Sequence, residues 1–207
     1  MIATKAVWPT ARRRLRSDGV FGPLVQRLGP IRVHDSDEDP FVYLARAIIY
    51  QQLAGAAAGA IHGRFVEALA GRVTADAVLR TPESELRAAG LSRAKLAAIR
   101  DLAAKAIGGE VRLDDLADQG DDEVLDRLVC VRGIGPWTAQ MFLMFRLHRR
   151  DVWPVGDLGV RNGWALLHGL EEAPAAKELE SCGEPYRPWR SAVAWYCWRA
   201  LDEASAE

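Results

Sequence analysis

The sequence has few cysteines and no long apolar run. Its 207 residues include three cysteines, Cys130, Cys182 and Cys197, which are too few and too scattered for a disulfide framework or for the four thiolates of an iron–sulfur cluster. No stretch approaches the roughly 20 apolar residues of a membrane span. The arginines near the N-terminus are not followed by the apolar segment of a secretory signal. We therefore expect reduced thiols, no iron–sulfur cluster and no membrane partner.

The chain also has no strong excess of charge. Its formal net charge is −1, which argues against a protein that coats nucleic acid through bulk charge. A local basic surface is still compatible with this value, and Arg146, Arg149, Arg150 and Arg161 are candidates for it. A solvated protein face explains these arginines equally well. The four histidines lack a spacing such as His-x-x-x-His, which argues against a zinc site.

Alternating β-branched runs are almost absent, and the apolar period is helical nearly throughout. The sequence predicts an all-α protein of about eight to ten helices, in two lobes with an active-site cleft between them. The predicted N-caps are Asp39, Thr74, Thr81 and Ser92. The helix that Asp39 caps is predicted to break at Gly55, and the next to run from there to about Leu69. Later helices are predicted from Asp121 or Asp122 to about Val129, from Pro136 to about His148, after Asp157, and from Pro188.

A glycine turn lies between two apolar segments in the second half of the chain. Gly133-Ile134-Gly135 permits a close approach to another surface, and Pro136 then starts a helix. The first N–H groups of a helix have no internal partner, so they suit a phosphate. An ordinary connection between helices would also explain the glycines. Asp157, which follows in a small-residue loop, would serve equally as a helix N-cap.

Together these segments resemble the HhH-GPD superfamily of DNA glycosylases. The helix-hairpin-helix pattern matches Gly133-Ile134-Gly135-Pro136-Trp137-Thr138-Ala139, and the glycine/proline-rich loop with its aspartate matches Asp151 to Val160; Gln51-Gln52-Leu53 and Pro188-Trp189-Arg190-Ser191 resemble further family segments. The likeness covers residues from about 40 to 202. Within the superfamily it is closest to the 3-methyladenine DNA glycosylase II (AlkA) type. With about 40 residues before the match, we expect a compact form without the extra N-terminal α/β domain.

The resemblance implies an enzyme that flips alkylated bases, such as 3-methyladenine and 7-methylguanine, out of duplex DNA and hydrolyses their N-glycosidic bonds. Asp157 would be the catalytic carboxylate. The bifunctional lyases of the superfamily carry a Schiff-base lysine two residues after the second glycine; this chain has Trp137 there, which implies a monofunctional hydrolase. The implied base pocket comprises Trp137, Trp198, Met141 and Tyr50, with Met141 standing where the family type has tyrosine.

The resemblance also implies a set of DNA contacts and an ion. Leu53 would be the wedge that fills the gap left by the flipped base. The implied DNA-binding residues are Gln52, Leu53, Gly133, Gly135, Pro136, Thr138 and Arg161. The main-chain carbonyls of Val129, Val131 and Ile134 would hold a structural Na or K ion. No cofactor is expected for the chemistry itself.

The predicted organisation is a single glycosylase unit over 1–207. Its approximate lobes are 40–110 and 111–170, and 1–39 is expected to pack with 171–207. We expect a monomer in the cytoplasm, at a bacterial nucleoid, acting on damaged double-stranded DNA. Two other functions stay open at this stage. One is a helix-hairpin-helix protein that binds DNA structure without catalysis; the other is a glycosylase with lyase activity.

Overall fold

The computed structural model describes residues 4–34 and 38–205, and most of them are helical. The described residues form the α-helices α1 (Pro9–Leu15), α2 (Phe21–Leu28), α3 (Pro40–Tyr50), α4 (Gly55–Ala68), α5 (Ala75–Arg80), α6 (Glu83–Ala88), α7 (Arg93–Gly108), α8 (Asp121–Val129), α9 (Pro136–Phe145), α10 (Leu158–His168), α11 (Ala176–Gly183) and α12 (Arg190–Ala204). The predicted all-α class is confirmed. Among these helices, none combines the length and the apolar character needed to cross a bilayer.

Two short strands, β1 (Thr4–Ala6) and β2 (Arg32–His34), pair antiparallel with Thr4 opposite His34. Neither was predicted, because three residues are too few to show an alternating pattern. The predicted number of eight to ten helices is also wrong, since the described residues form twelve. The additional helices include α1, α2 and α11, all of eight residues or fewer.

The chain divides into two compact units. We call Asp37–Phe142 the central unit, and Met1–Ser36 together with Leu143–Glu207 the terminal unit. These units divide the chain at other positions than the predicted lobe bounds of 110 and 170. Within the terminal unit, α2 packs on α12, so segments from both ends of the chain share one core.

The central unit is built around α3 and α7. The Asp39 carboxylate caps α3 by accepting the Phe41 amide at 2.8 Å, and Pro40 occupies the first turn, as predicted. The Ser92 hydroxyl caps α7 by accepting the Lys95 amide at 3.2 Å. The apolar faces of both helices are buried, as their spacing predicts: Leu44, Ile48 and Ile49 on α3, and Leu96, Ile99 and Leu102 on α7.

In the terminal unit α10 packs closely on α12. Gly163 makes this possible, because a Cβ atom there would overlap the main-chain carbonyl of Cys197. Cys197 is fully buried at this crossing, and burial raises the pKa of its thiol well above the usual range. The other two thiols are free as well, with Cys130 exposed and Cys182 half-buried.

Several predicted helix ends shift for local backbone reasons. Thr81 ends α5 and does not cap α6: its hydroxyl donates to the Ala77 carbonyl at 2.8 Å, and Pro82 precedes α6. α9 ends at Phe145, and His148 beyond it has a left-handed φ of 53°. α12 begins at Arg190, after Trp189 adopts φ −121° and ψ 19°.

Candidate active site

Asp157 lies immediately before α10, at the end of a glycine/proline-rich loop. Its backbone N–H donates to the Pro154 carbonyl at 2.9 Å, which turns the chain into the helix. Its carboxylate oxygen Oδ1 accepts the Val160 amide at 2.8 Å, so Asp157 is the N-cap of α10. The half-buried carboxylate therefore stands at the positive end of a helix dipole.

A second donor reaches the same carboxylate from α12. The indole Nε1 of Trp198 donates to Asp157 Oδ1 at 2.9 Å. The indole itself packs against Phe145, with 5.8 Å between ring centroids. Gly159 leaves room for this approach, since a Cβ there would lie 2.8 Å from Cδ1 of Trp198. Two donors and a packed indole thus fix the orientation of the carboxylate.

Arg161 follows one turn later on α10 and is half-buried. Its Nε donates to the Pro174 carbonyl at 2.6 Å, which ties α10 to the loop before α11. The DNA contact predicted for Arg161 stays a prediction.

The hairpin 129–136 lies in the central unit, between α8 and α9. Gly133 has a left-handed φ of 79° and packs against α7, where a Cβ would lie 3.0 Å from that of Ala98. The Ile134 amide donates to the Val131 carbonyl at 3.0 Å, and both side chains are buried under the turn. Gly135 and Pro136 are exposed where α9 begins, which leaves the helix N-terminus accessible.

The ion predicted at the hairpin would use main-chain oxygens of Val129, Val131 and Ile134. A carbonyl oxygen has two lone pairs, so the Val131 oxygen can accept the Ile134 amide and still face a cation. The side chains of Val131 and Ile134 are buried beneath the turn and so do not occupy the space outside it. These residues fit a monovalent ion, which stays a prediction. Among the described residues, no cluster of three His, Cys, Asp or Glu side chains could hold a metal ion.

The turn after α3 carries the predicted wedge. Gln52 has a left-handed φ of 56°, which non-glycine residues rarely adopt. Leu53 follows with 39% of its surface exposed. An exposed apolar side chain on a strained turn suits the role predicted for Leu53.

Gln51 joins this turn to the hairpin, and its role was not predicted. Its Nε2 donates to the Gly133 carbonyl at 3.0 Å and to the buried Thr138 hydroxyl at 3.3 Å. Thr138, predicted as a DNA contact, thus has a side chain that bonds Gln51 within the protein. The sequence does not show which of Gln51 and Gln52 makes these bonds, because that depends on the left-handed conformation of Gln52.

A pocket of about 570 Å³ opens beside the turn and the hairpin, within the size range of small-molecule sites. It is lined by Tyr43, Arg46, Ala47, Tyr50, Gln51, Gln52, Gly133, Gly135, Trp137, Thr138 and Met141. Three of the four residues predicted for a base pocket are among them, and Trp137 is 50% exposed. The fourth, Trp198, lies in the terminal unit against Asp157.

The α3 wall of this pocket shows a helical spacing that could have identified it. Tyr43, Arg46, Ala47 and Tyr50 follow the i, i+3, i+4, i+7 pattern of one helix face. Arg46 bonds Glu38 at 2.8 Å and lies over the Tyr43 ring at 5.2 Å. The pocket wall therefore combines aromatic surface with a guanidinium that is already paired.

The family model for the HhH-GPD superfamily base excision DNA repair protein matches residues 45–188. The matched range contains the hairpin, the loop with Asp157 and, apart from Tyr43, the residues that line the pocket. This chain belongs to the HhH-GPD superfamily of base excision DNA repair proteins.

Relatives and solved structures agree with this membership. DNA-3-methyladenine glycosylase 1 of Schizosaccharomyces pombe is 35% identical over 181 residues, which span 85% of this chain and 79% of that protein. The S. pombe 3-methyladenine DNA glycosylase structure in complex with abasic DNA has a TM-score of 0.81 at 33% identity and covers 92% of this chain and 95% of that one. The crystal structure of DNA-3-methyladenine glycosidase from Bacillus halodurans has a TM-score of 0.87 at 29% identity, covering 100% and 95%.

Proposed function

We propose that this chain is a monofunctional DNA glycosylase that hydrolyses the N-glycosidic bond of alkylated bases in duplex DNA and leaves an abasic site. The superfamily and the relatives named for 3-methyladenine support this class of substrate. The observation that carries the proposal is the Asp157 carboxylate, held at a helix N-terminus by the Val160 amide and the Trp198 indole.

The chemistry needs one well-placed carboxylate. When the bond between C1′ and the base nitrogen breaks, its electron pair leaves with the base and the sugar acquires oxocarbenium character. The Asp157 carboxylate stabilises this cation and orients the water that adds to C1′, whose proton is lost to the carboxylate or to solvent. Because its orientation is set in advance, the carboxylate need not reorganise as positive charge develops.

The leaving group lowers the demand for an acid. A base such as 3-methyladenine carries positive charge before the bond breaks, so it departs as a neutral molecule without protonation. A pocket for an electron-poor ring is then sufficient, and aromatic faces provide it by stacking and cation–π attraction. Trp137 and Tyr50, both exposed in the pocket wall, are the aromatic groups proposed for this role.

We further propose the 3-methyladenine DNA glycosylase II (AlkA) type, without lyase activity. Trp137 stands where a lyase of the superfamily would carry its amine, so no Schiff base forms. Met141, which lines the pocket in place of a tyrosine, supplies a flexible thioether and so a more adaptable wall.

The proposed DNA grip has two parts. The start of α9, with Gly133 and Gly135 before it, would bind a phosphate, with or without a bridging monovalent ion. Leu53 would fill the gap in the stack, with Gln52 hydrogen-bonded to neighbouring bases. We also propose that the protein acts as a monomer, in the cytoplasm.

Base release from methylated duplex DNA tests the function, with released bases separated by chromatography. Wild type should release 3-methyladenine or 7-methylguanine, and Asp157→Asn should release them at least about 10²-fold more slowly. Asp202→Asn is the control, because it removes an exposed acid that is paired with Arg199 in the same unit. Duplex binding, measured by fluorescence anisotropy, should persist in both variants.

Two outcomes would contradict the proposal. If wild type bound duplex DNA but released no base, the chain would be a binding module for DNA structure. If Asp157→Asn released bases at the wild-type rate, the role of Asp157 would be wrong.

A further inference from the structure

Lys95, on α7, caps the end of a different helix. Its Nζ donates to the main-chain carbonyls of Ile49 at 2.6 Å and Gln51 at 2.8 Å. The last carbonyls of α3 have no partner within their own helix, and the ammonium satisfies them from outside. Burial lowers the pKa of Lys95.

The carbonyl of Gln51 directly precedes the left-handed residue of the turn. A non-glycine residue keeps such a conformation only when its surroundings hold it there. With its carbonyl fixed by Lys95 and its side chain bonded to Gly133 and Thr138, Gln51 anchors the chain directly before Gln52. Leu53 follows two residues after this anchor, with 39% of its surface exposed.

Asp101, on the same helix, holds the hairpin. Its Oδ2 accepts the backbone N–H of Arg132 at 2.7 Å, and its carboxylate also bonds Lys105 Nζ at 2.8 and 2.7 Å. The hydrogen bond from Lys105 and the one from the Arg132 amide lower the pKa of Asp101. Ala98 lies between Lys95 and Asp101 in sequence and contacts Gly133.

Lys95, Ala98 and Asp101 follow an i, i+3, i+6 row on α7, which we call the α7 ridge. At about 1.5 Å per residue the ends of this row are about 9 Å apart along a continuous helix. One end holds the turn and the other holds the hairpin. The Gln51 side chain closes the connection by joining the turn to the hairpin directly.

We propose that the α7 ridge is a positioning element for damaged DNA: it fixes the turn with Leu53 at a set distance from the hairpin, so that wedge and phosphate grip engage one duplex together. The inference rests on the proposed function for the identity of the lesion. An undamaged duplex, which does not accept the wedge, requires only the hairpin. Loss of the ridge should therefore weaken binding to a lesion far more than binding to intact DNA.

The test compares affinities for a duplex with an abasic-site analogue and for the same duplex undamaged. Lys95→Met keeps the length of the side chain and removes its donors, and we expect about tenfold weaker binding to the abasic duplex, the effect of losing charged hydrogen bonds. Binding to the undamaged duplex should change less than about twofold, because the phosphate contacts remain. Lys95→Arg, which keeps two donors, should restore most of the difference.

Asp101 gives an independent arm. Asp101→Ala removes the acceptor for the Arg132 amide, whereas Asp101→Asn keeps an oxygen there and loses the charge. Because an undamaged duplex also uses the hairpin, the alanine variant should weaken binding to both duplexes, with the larger loss on the abasic one, and the asparagine variant should keep most of both affinities. For Lys95→Met, the control is Lys177→Met, which removes one positive charge at an exposed position on α11.

A purely structural role for the ridge predicts a different pattern. Lys95→Met would then lower the melting temperature and both affinities by the same factor, with no rescue by arginine, and this result would overturn the proposal. The proposal would also be overturned if wild type bound the abasic duplex no more tightly than the undamaged one. If wild type prefers the abasic duplex but releases no alkylated base, the proposed function fails while the ridge is still tested.

Discussion

Trp198 and Asp157 share a hydrogen bond of 2.9 Å between the indole Nε1 and Oδ1, and the same oxygen accepts the Val160 amide at 2.8 Å. Two donors on one carboxylate oxygen hold the group more firmly than a helix cap alone. The indole comes from α12 and the amide from α10, so the closeness of the two helices determines where the carboxylate stands.

Replacing Trp198 with phenylalanine removes this donor and keeps an aromatic ring. We expect base release to slow by about tenfold, the value of one hydrogen bond to a charged group. The effect should fall on kcat, because the carboxylate acts on the reacting sugar and not on binding. Trp195→Phe, on the same helix, is the control and should retain the wild-type rate. An equal loss in both variants would point to a general effect of altering α12.

Gly159→Ala introduces a methyl group at the same place. The new Cβ would lie 2.8 Å from Trp198 Cδ1 and 3.0 Å from Asp157 Oδ1, so the indole or the carboxylate must move. We expect base release to fall at least about tenfold, since displacement of a preorganised group is costly. Gly156→Ala, where a Cβ meets nothing within 4 Å, should leave activity intact. Wild-type kinetics for Gly159→Ala would show that the packing around the carboxylate does not matter.

Leu53→Ala removes the exposed apolar side chain of the turn. We expect weaker binding to damaged duplex, because the gap in the base stack is no longer filled, and little change for single strands. Leu79→Ala is the control, since Leu79 on α5 is similarly exposed at 37% against 39% for Leu53. Equal weakening of binding to duplex and to single strands would show that Leu53 does not act as a wedge.

The Asp101 bonds predict a pH dependence of stability. The pKa of Asp101 in the folded protein is depressed by the hydrogen bonds from Lys105 and the Arg132 amide, so these bonds contribute their full stability above the pKa of an unfolded aspartate. The contribution is lost as the pH falls through the folded pKa. Urea unfolding of wild type and Asp101→Ala should therefore differ most at neutral pH and converge in acid. A constant difference down to the acid range would mean that the bonds do not favour the ionised form.

The fold was predictable wherever the chain carries local signals. Asp39, Thr74 and Ser92 cap helices as expected, because a short polar side chain before an apolar periodic segment acts within one turn. Thr81 failed because its hydroxyl found an acceptor in the preceding turn, a competition that the sequence does not resolve. The short helices and the two strands were not predicted, because an element of so few residues shows no hydrophobic period.

The candidate site was predictable only in part. The hairpin and Asp157 carry compact sequence patterns, and the pocket residues on α3 follow a helical spacing that could have been read. Lys95, Gln51 and Asp101 escaped because their partners lie between 31 and 87 residues away. Such bonds depend on tertiary packing and cannot be predicted from a single sequence.

The burial of Cys197 at the crossing of α10 and α12 has a chemical consequence for a protein proposed to act on methylated DNA. Reagents that methylate DNA also methylate thiolates, which are far better nucleophiles than thiols. Cys197 is fully buried, and burial raises the pKa of its thiol, so it offers such reagents neither an open path nor a thiolate. Burial at this helix crossing thus protects the thiol that precedes Trp198 from the reagents that create the lesions.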